Sequence, residues 1–145
     1  MPATYSGGQS DGVYHVQHHL QEVMQDLVGI VRRDDDMRRA LEEIERLRAR
    51  SAVVAVPGNR EYNPGWHTAL DLKNLLTVSE AVTRSALERK ESRGGHFRDD
   101  FPKKEETYAK FNIVTYRGPD GAMQIRHEPV KPMPPELTAI IEEMK

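Results

Sequence analysis

Over residues 13–33 the apolar side chains recur every three to four positions: Val16, Leu20, Val23, Met24, Leu27 and Val31. That period places them on one face of a helix. Gly29 falls inside the pattern, where a glycine costs about 1 kcal/mol relative to alanine; its presence suggests close approach of another backbone. Asp34, Asp35 and Asp36 follow, and any of them suits the N-terminus of a next helix, where free amides and the helix dipole favour carboxylates. A second helix is predicted over 36–51, with Met37, Ala40, Leu41, Ile44, Leu47 and Ser51 on its inner stripe. Glu42, Glu43, Glu45, Arg46, Arg48 and Arg50 crowd its solvated face. Residues 52–56 read as a last helical turn or a short extended piece, and Pro57, Gly58 and Asn59 as a loop.

The third helix carries the clearest start signal, Asn63 as N-cap and Pro64 as first helical residue. Leu72, Leu75, Leu76, Ser79, Val82, Thr83 and Ala86 share one face as far as about Lys90, and Gly94-Gly95 ends the run. Such a helix is roughly 40 Å long. The remainder changes character. Residues 108–116 and 122–130 hold β-branched and aromatic residues around Gly118-Pro119-Asp120-Gly121, a hairpin signal. Pro129, Pro132, Pro134 and Pro135 form an extended connector, and 136–144 a last short helix. The expected architecture is mainly α: an antiparallel three-helix bundle, spectrin-repeat-like, then a β-hairpin and an extended Pro-rich tail. Residues 1–12 are expected to be a flexible linker or tail, 13–102 the bundle with its loop, and 103–145 the hairpin and C-terminal extension.

Composition narrows the functions. The 145 residues suit one domain, and with 37% hydrophobic and 30% charged residues the chain fits an elongated bundle or a domain that leans on a neighbour. A net charge of −2 favours neither nucleic acid nor an anionic membrane. The absence of cysteine excludes disulfides and iron–sulfur ligation by this chain. No apolar run approaches the ~20 residues that span a bilayer, and no direct membrane insertion is expected. The first residues lack a basic segment followed by an apolar one, so no secretory leader is expected.

Candidate chemistry is sparse. No GxGxxG, P-loop, GxSxG or HExxH pattern occurs. His15, His18 and His19 stand at i, i+3, i+4, a spacing that can ligate a metal, but they flank the apolar stripe and read as solvated. Trp66 and His67 open the third helix, where an aromatic serves packing, an interface or a ligand contact. Asp71 and Asn74 lie off its core face. The segment 91–102, ESRGGHFRDDFP, is the most informative. Glu91, Arg93, His96, Arg98, Asp99 and Asp100 pack mixed charge into ten residues beside two glycines that let the backbone turn sharply. Self-paired, these groups form an ionic network that fixes a loop; unpaired by their own domain, they form a docking surface, with Arg93 able to take a carboxylate bidentately.

Residues 63–102 closely resemble the C-terminal domain of succinate dehydrogenase and fumarate reductase flavoprotein subunits. The segment 91–102 is similar to that family's E-S-R-G-A/G-H-x-R-x-D-F/Y-P signature. Residues 20–24 and 28–32 are similar to the family's first bundle helix, and 108–135 fits its hairpin and proline tail.

The resemblance implies a part in the oxidoreduction of succinate and fumarate, an electron-transport step of the tricarboxylic acid cycle. In that family FAD and the catalytic residues belong to preceding domains, which no segment here matches. The chain is therefore expected to hold no cofactor, no metal and no catalytic residue. Its implied partners are the FAD-binding domain of the same subunit and the iron–sulfur subunit, reached through Glu91, Arg93, His96, Arg98, Asp99, Asp100, Trp66 and His67. The implied location is cytoplasmic, peripheral to the inner face of the membrane. Two other readings remain: the C-terminal domain of an L-aspartate oxidase-like flavoenzyme, or an independent helical interaction module.

Overall fold

The computed structural model describes residues 12–144. The expected tail over 1–12 lies, except for Gly12, outside the described residues. The chain divides into two units, the first running to Lys104 and the second starting at Glu105. Mainly α architecture with a small antiparallel hairpin holds.

The first unit contains helices α1 (Val13–Val28), α2 (Asp34–Ser51) and α3 (Pro64–Glu88), each packed on the other two. Val16, Leu20 and Val23 of α1, Ala40, Ile44 and Leu47 of α2, and Leu72 and Leu76 of α3 form one buried cluster. Each such side chain contributes roughly 1.5–3 kcal/mol by leaving water. Glu80 of α3 adds a polar tie, accepting from Arg48 of α2 at 2.6 Å and from Arg84 at 2.7 Å. Arg48 thus leaves the solvated face the sequence suggested for it. Asn63 caps α3 as expected, its Oδ1 accepting from the Gly65 N–H at 3.0 Å.

Three boundaries differ from the sequence reading, each for a local reason. α1 stops at Val28, and Gly29 follows at φ −57°, ψ −141°. A Cβ there would sit 2.5 Å from the Gln25 carbonyl oxygen, so the backbone can fold this tightly only without a side chain. Val31 consequently leaves the helical stripe. With Arg32 it forms strand β1 (Val31–Arg32), which pairs in parallel with β2 (Phe97–Arg98). α2 begins two residues earlier than expected, at Asp34, so the three aspartates occupy its first turn and none is the N-cap residue. α3 ends at Glu88, before Gly94-Gly95; those glycines instead make the tight turn joining Arg93 to His96, with Gly94 at φ +58°. Within α3, Leu75 and Val82 are 38% and 43% exposed rather than core residues.

The second unit holds a short 3-10 turn at Glu106–Ala109, a hairpin of β3 (Phe111–Arg117) and β4 (Met123–Pro129), and helix α4 (Pro135–Glu143). Tyr108 falls in the 3-10 turn rather than the first strand; its ring packs against Phe111, which stacks on His127 across the hairpin.

Candidate functional site

The segment after α3 is an elbow held by the ends of three helices. Arg98 is wholly buried. Its Nε and Nη2 donate to the two oxygens of Asp100 at 2.8 and 2.7 Å. Its Nη1 donates to the carbonyls of Ala86, Leu87 and Arg89 at 3.0, 3.1 and 3.3 Å. These are the carbonyls a helix leaves unpaired at its C-terminus, and a cation there also suits the helix dipole. Asp100 in turn accepts the Asp34 N–H at 3.1 Å, at the opposite, positive end of α2. One ion pair therefore caps the end of α3 and the start of α2, Asp100 reaching Asp34 across 66 positions of sequence. Arg98's hydrogen bonds hold the Asp100 carboxyl below its ordinary pKa.

Glu91 is also wholly buried. It accepts from Arg89 at 2.6 Å and, bidentately, from Arg93 at 2.9 and 3.1 Å. Ser92 Oγ accepts from the Arg98 N–H and donates to the Phe101 carbonyl, both at 2.9 Å. Asp99 takes the guanidinium of Arg33, and its N–H donates to the Arg32 carbonyl at 2.9 Å. Of the two roles open to this mixed-charge group, Glu91 and Arg98 take the first: their charges are spent inside the fold and neither reaches solvent. Arg93 and Asp99 remain partly accessible, with side chains 34% and 42% exposed.

His96 links the elbow to α1. Arg32 Nε donates to the Val28 carbonyl at 3.0 Å, and Arg32 Nη1 meets His96 Nδ1 at 2.8 Å. A guanidinium only donates, so Nδ1 accepts and the ring proton sits on Nε2, which donates to the Arg89 carbonyl at 3.1 Å. Burial, partly opposed by that carbonyl bond and reinforced by Arg32, Arg98 and Arg89, lowers the His96 pKa from 6.5. The unfolded chain therefore takes up this proton first as pH falls. The stabilisation from neutral His96 is complete above pH 6.5 and is lost as pH drops from there toward the folded value. The expected result is a lower melting temperature at about pH 5.5 than at about pH 7.5, with a smaller difference in His96→Gln, measured by circular dichroism.

The other predicted residues lie elsewhere. Trp66 sits in the first turn of α3 with the Arg60 guanidinium 5.0 Å from its ring centre, and its indole N–H is buried without a partner among the described residues. His67, Asp71 and Asn74 are exposed on α3. His18 meets Glu22 at 3.3 Å and His19 meets Arg50 at 3.0 Å; among the described residues no three His, Asp or Glu side chains converge as a metal site would require. The sequence reading missed Arg32, Arg33 and Asp34 as members of the elbow, and gave Ser92, inside the segment, no role of its own. The one available signal was the β-branched pair Ile30-Val31 directly after Gly29, which suits a strand better than a helix.

Strand β1, which runs into α2, is two residues long, and the N-terminus of α2, where a helix can receive a phosphate, already holds the Asp100 carboxylate. Among the described residues no helix is long and apolar enough to cross a membrane.

The family model described as fumarate reductase flavoprotein C-term matches residues 17–139. An uncharacterized FAD-dependent oxidoreductase of Methanocaldococcus jannaschii is 40% identical over 102 residues, 70% of this chain and 18% of that protein. The fumarate reductase flavoprotein subunit of Helicobacter pylori (strain J99) is 35% identical over 103 residues, 70% of this chain and 14% of that protein. The solved structure of Mycobacterium smegmatis Sdh1 in complex with UQ1 superposes with a TM-score of 0.81 at 40% identity, covering 91% of this chain and 23% of that one. The chain thus spans less than a quarter of the length of each of these relatives. This chain belongs to the family of fumarate reductase flavoprotein C-terminal domains.

Proposed function

We propose that the chain acts as the accessory domain of a succinate dehydrogenase or fumarate reductase-type flavoprotein, packing against its FAD-binding domain and its iron–sulfur subunit. Residues 13–102 serve as an antiparallel three-helix bundle, and 103–145 as a hairpin and Pro-rich extension. FAD and the succinate–fumarate chemistry belong to the neighbouring domain, and the assembly sits at the inner face of the membrane through partner subunits. The observation that carries this reading is the family match over 17–139.

The test uses Mycobacterium smegmatis Sdh1 lacking the 23% of its chain that this protein covers, checked for retained flavin. The 145-residue chain alone is expected to show no absorbance near about 450 nm, since that chromophore belongs to the cofactor, and to co-elute with the truncated Sdh1. Flavin retained by the chain alone, or separate elution, overturns the reading.

A further inference from the structure

An open hollow of about 400 Å³ lies between the C-terminal half of α3 and the elbow. Ala81, Val82, Ser85 and Ala86 line its α3 side, and Arg32, Arg89 and His96 its head. Val78, one turn before Val82 on α3, is 61% exposed and extends the apolar surface. The charges at the head do not balance. Arg32 donates to a carbonyl and to an imidazole, and it pairs with no carboxylate among the described residues. Glu91, the nearby carboxylate of the elbow, is wholly buried and turned onto Arg89 and Arg93. Burial and the neighbouring guanidiniums disfavour the charged form of His96, and its Nδ1 accepts from Arg32. A partly buried guanidinium thus keeps uncommitted N–H groups at the mouth of an apolar trough.

We propose that this hollow is the seat for a segment of the flavin-binding domain that carries a carboxylate next to an apolar side chain, the carboxylate meeting Arg32 and the apolar group lying on Val82 and Ala86. The proposal rests on the function proposed above and names the surface it uses. Charge complementarity selects the occupant: an arginine without a carboxylate partner that is being desolvated needs a carboxylate, and the apolar α3 side suits an apolar side chain on the same segment. The docking surface is then not the fully buried Glu91 and Arg98 but the face of α3 beside them, which the elbow supports.

The test measures affinity of the full chain for the truncated, flavin-retaining Sdh1 by isothermal titration. Arg32→Glu is expected to weaken binding at least about 30-fold, the effect of breaking a desolvated charge pair. Arg32 Nε also caps α1 through Val28, so Val82→Asp, which touches no hydrogen bond of the fold, carries the test if Arg32→Glu unfolds. It is expected to weaken binding about 10-fold or more, with an unchanged circular dichroism spectrum. Arg46→Glu, on the solvated face of α2, is expected to bind as the wild type does. Wild-type affinity in both Arg32→Glu and Val82→Asp overturns the hollow as the seat while leaving the proposed function standing. Failure of the wild-type chain to bind overturns both.

Discussion

Replacing Arg98 by alanine is expected to lower the unfolding free energy by about 3 kcal/mol, the low end for breaking a buried ion pair by removing one partner. The low end applies because Asp100, the partner left behind, is 29% exposed and can recover water. The loss remains large because the Ala86 and Leu87 carbonyls lose this donor together, while the Arg89 carbonyl keeps His96, and each acceptor left unpaired costs about 1 kcal/mol or more. For a unit of this size the melting temperature is expected to fall by about 15 °C. Arg98→Lys is expected to lose an intermediate amount, because a lysine keeps the charge but not the planar fork that serves Asp100 and the carbonyls at once. Arg46→Ala, which removes the exposed pair with Glu43, is expected to change stability by no more than about 0.5 kcal/mol. Denaturant titrations of the three variants check the order; an Arg98→Ala loss no larger than that of Arg46→Ala would show that the ion pair ties nothing.

The second large effect is an asymmetry within the Glu91 cluster. Glu91→Ala is expected to cost about 2–4 kcal/mol, because it leaves two guanidiniums facing one another with their shared carboxylate gone. Arg93→Ala is expected to cost less than half of that. Arg93 is 34% exposed, and its removal leaves Glu91 still bound by Arg89. A double-mutant cycle over Glu91 and Arg93 measures the coupling. Equal losses for the two single variants would contradict the geometry, since only the carboxylate is shared.

Much of this architecture was legible in the sequence, and the parts that were not share a cause. The α3 start was readable because Asn63 and Pro64 act within one turn. The stripes of α1 and α2 were readable because burial follows the 3.6-residue period, as Val16, Leu20, Ala40, Ile44 and Leu47 illustrate. The hairpin was readable from its turn residues. The strand at Val31–Arg32 was not: two residues are too few to display an alternation, and Val31 happens to continue the helical stripe. Leu75 and Val82 were assigned to the core because a helix with apolar residues around most of its circumference gives no sequence cue to which side faces the bundle.

The elbow shows the same division. Its residues stand out by composition and by family resemblance, but the groups that tie Asp99 and Asp100 to the bundle lie in another part of the chain. Arg33 meets Asp99, and Asp34 meets Asp100, each across 66 positions. No local pattern announces such a contact. The choice between a self-paired network and a docking surface therefore waited on the fold, and the fold assigns Glu91 and Arg98 to the network. Family membership does not depend on that choice, because the match extends from residue 17 to 139.

The central physical claim is that the elbow is ordered by its own helices before any partner arrives. Amide hydrogen exchange on the isolated chain tests it most directly. The N–H groups of Asp34, Arg93, Arg98 and Asp99, bonded respectively to Asp100, His96, Ser92 and Arg32, are expected to exchange as slowly as those in the middle of α3. Exchange at the rate of an unstructured peptide, slowed only when the flavin-binding domain is added, would contradict the claim.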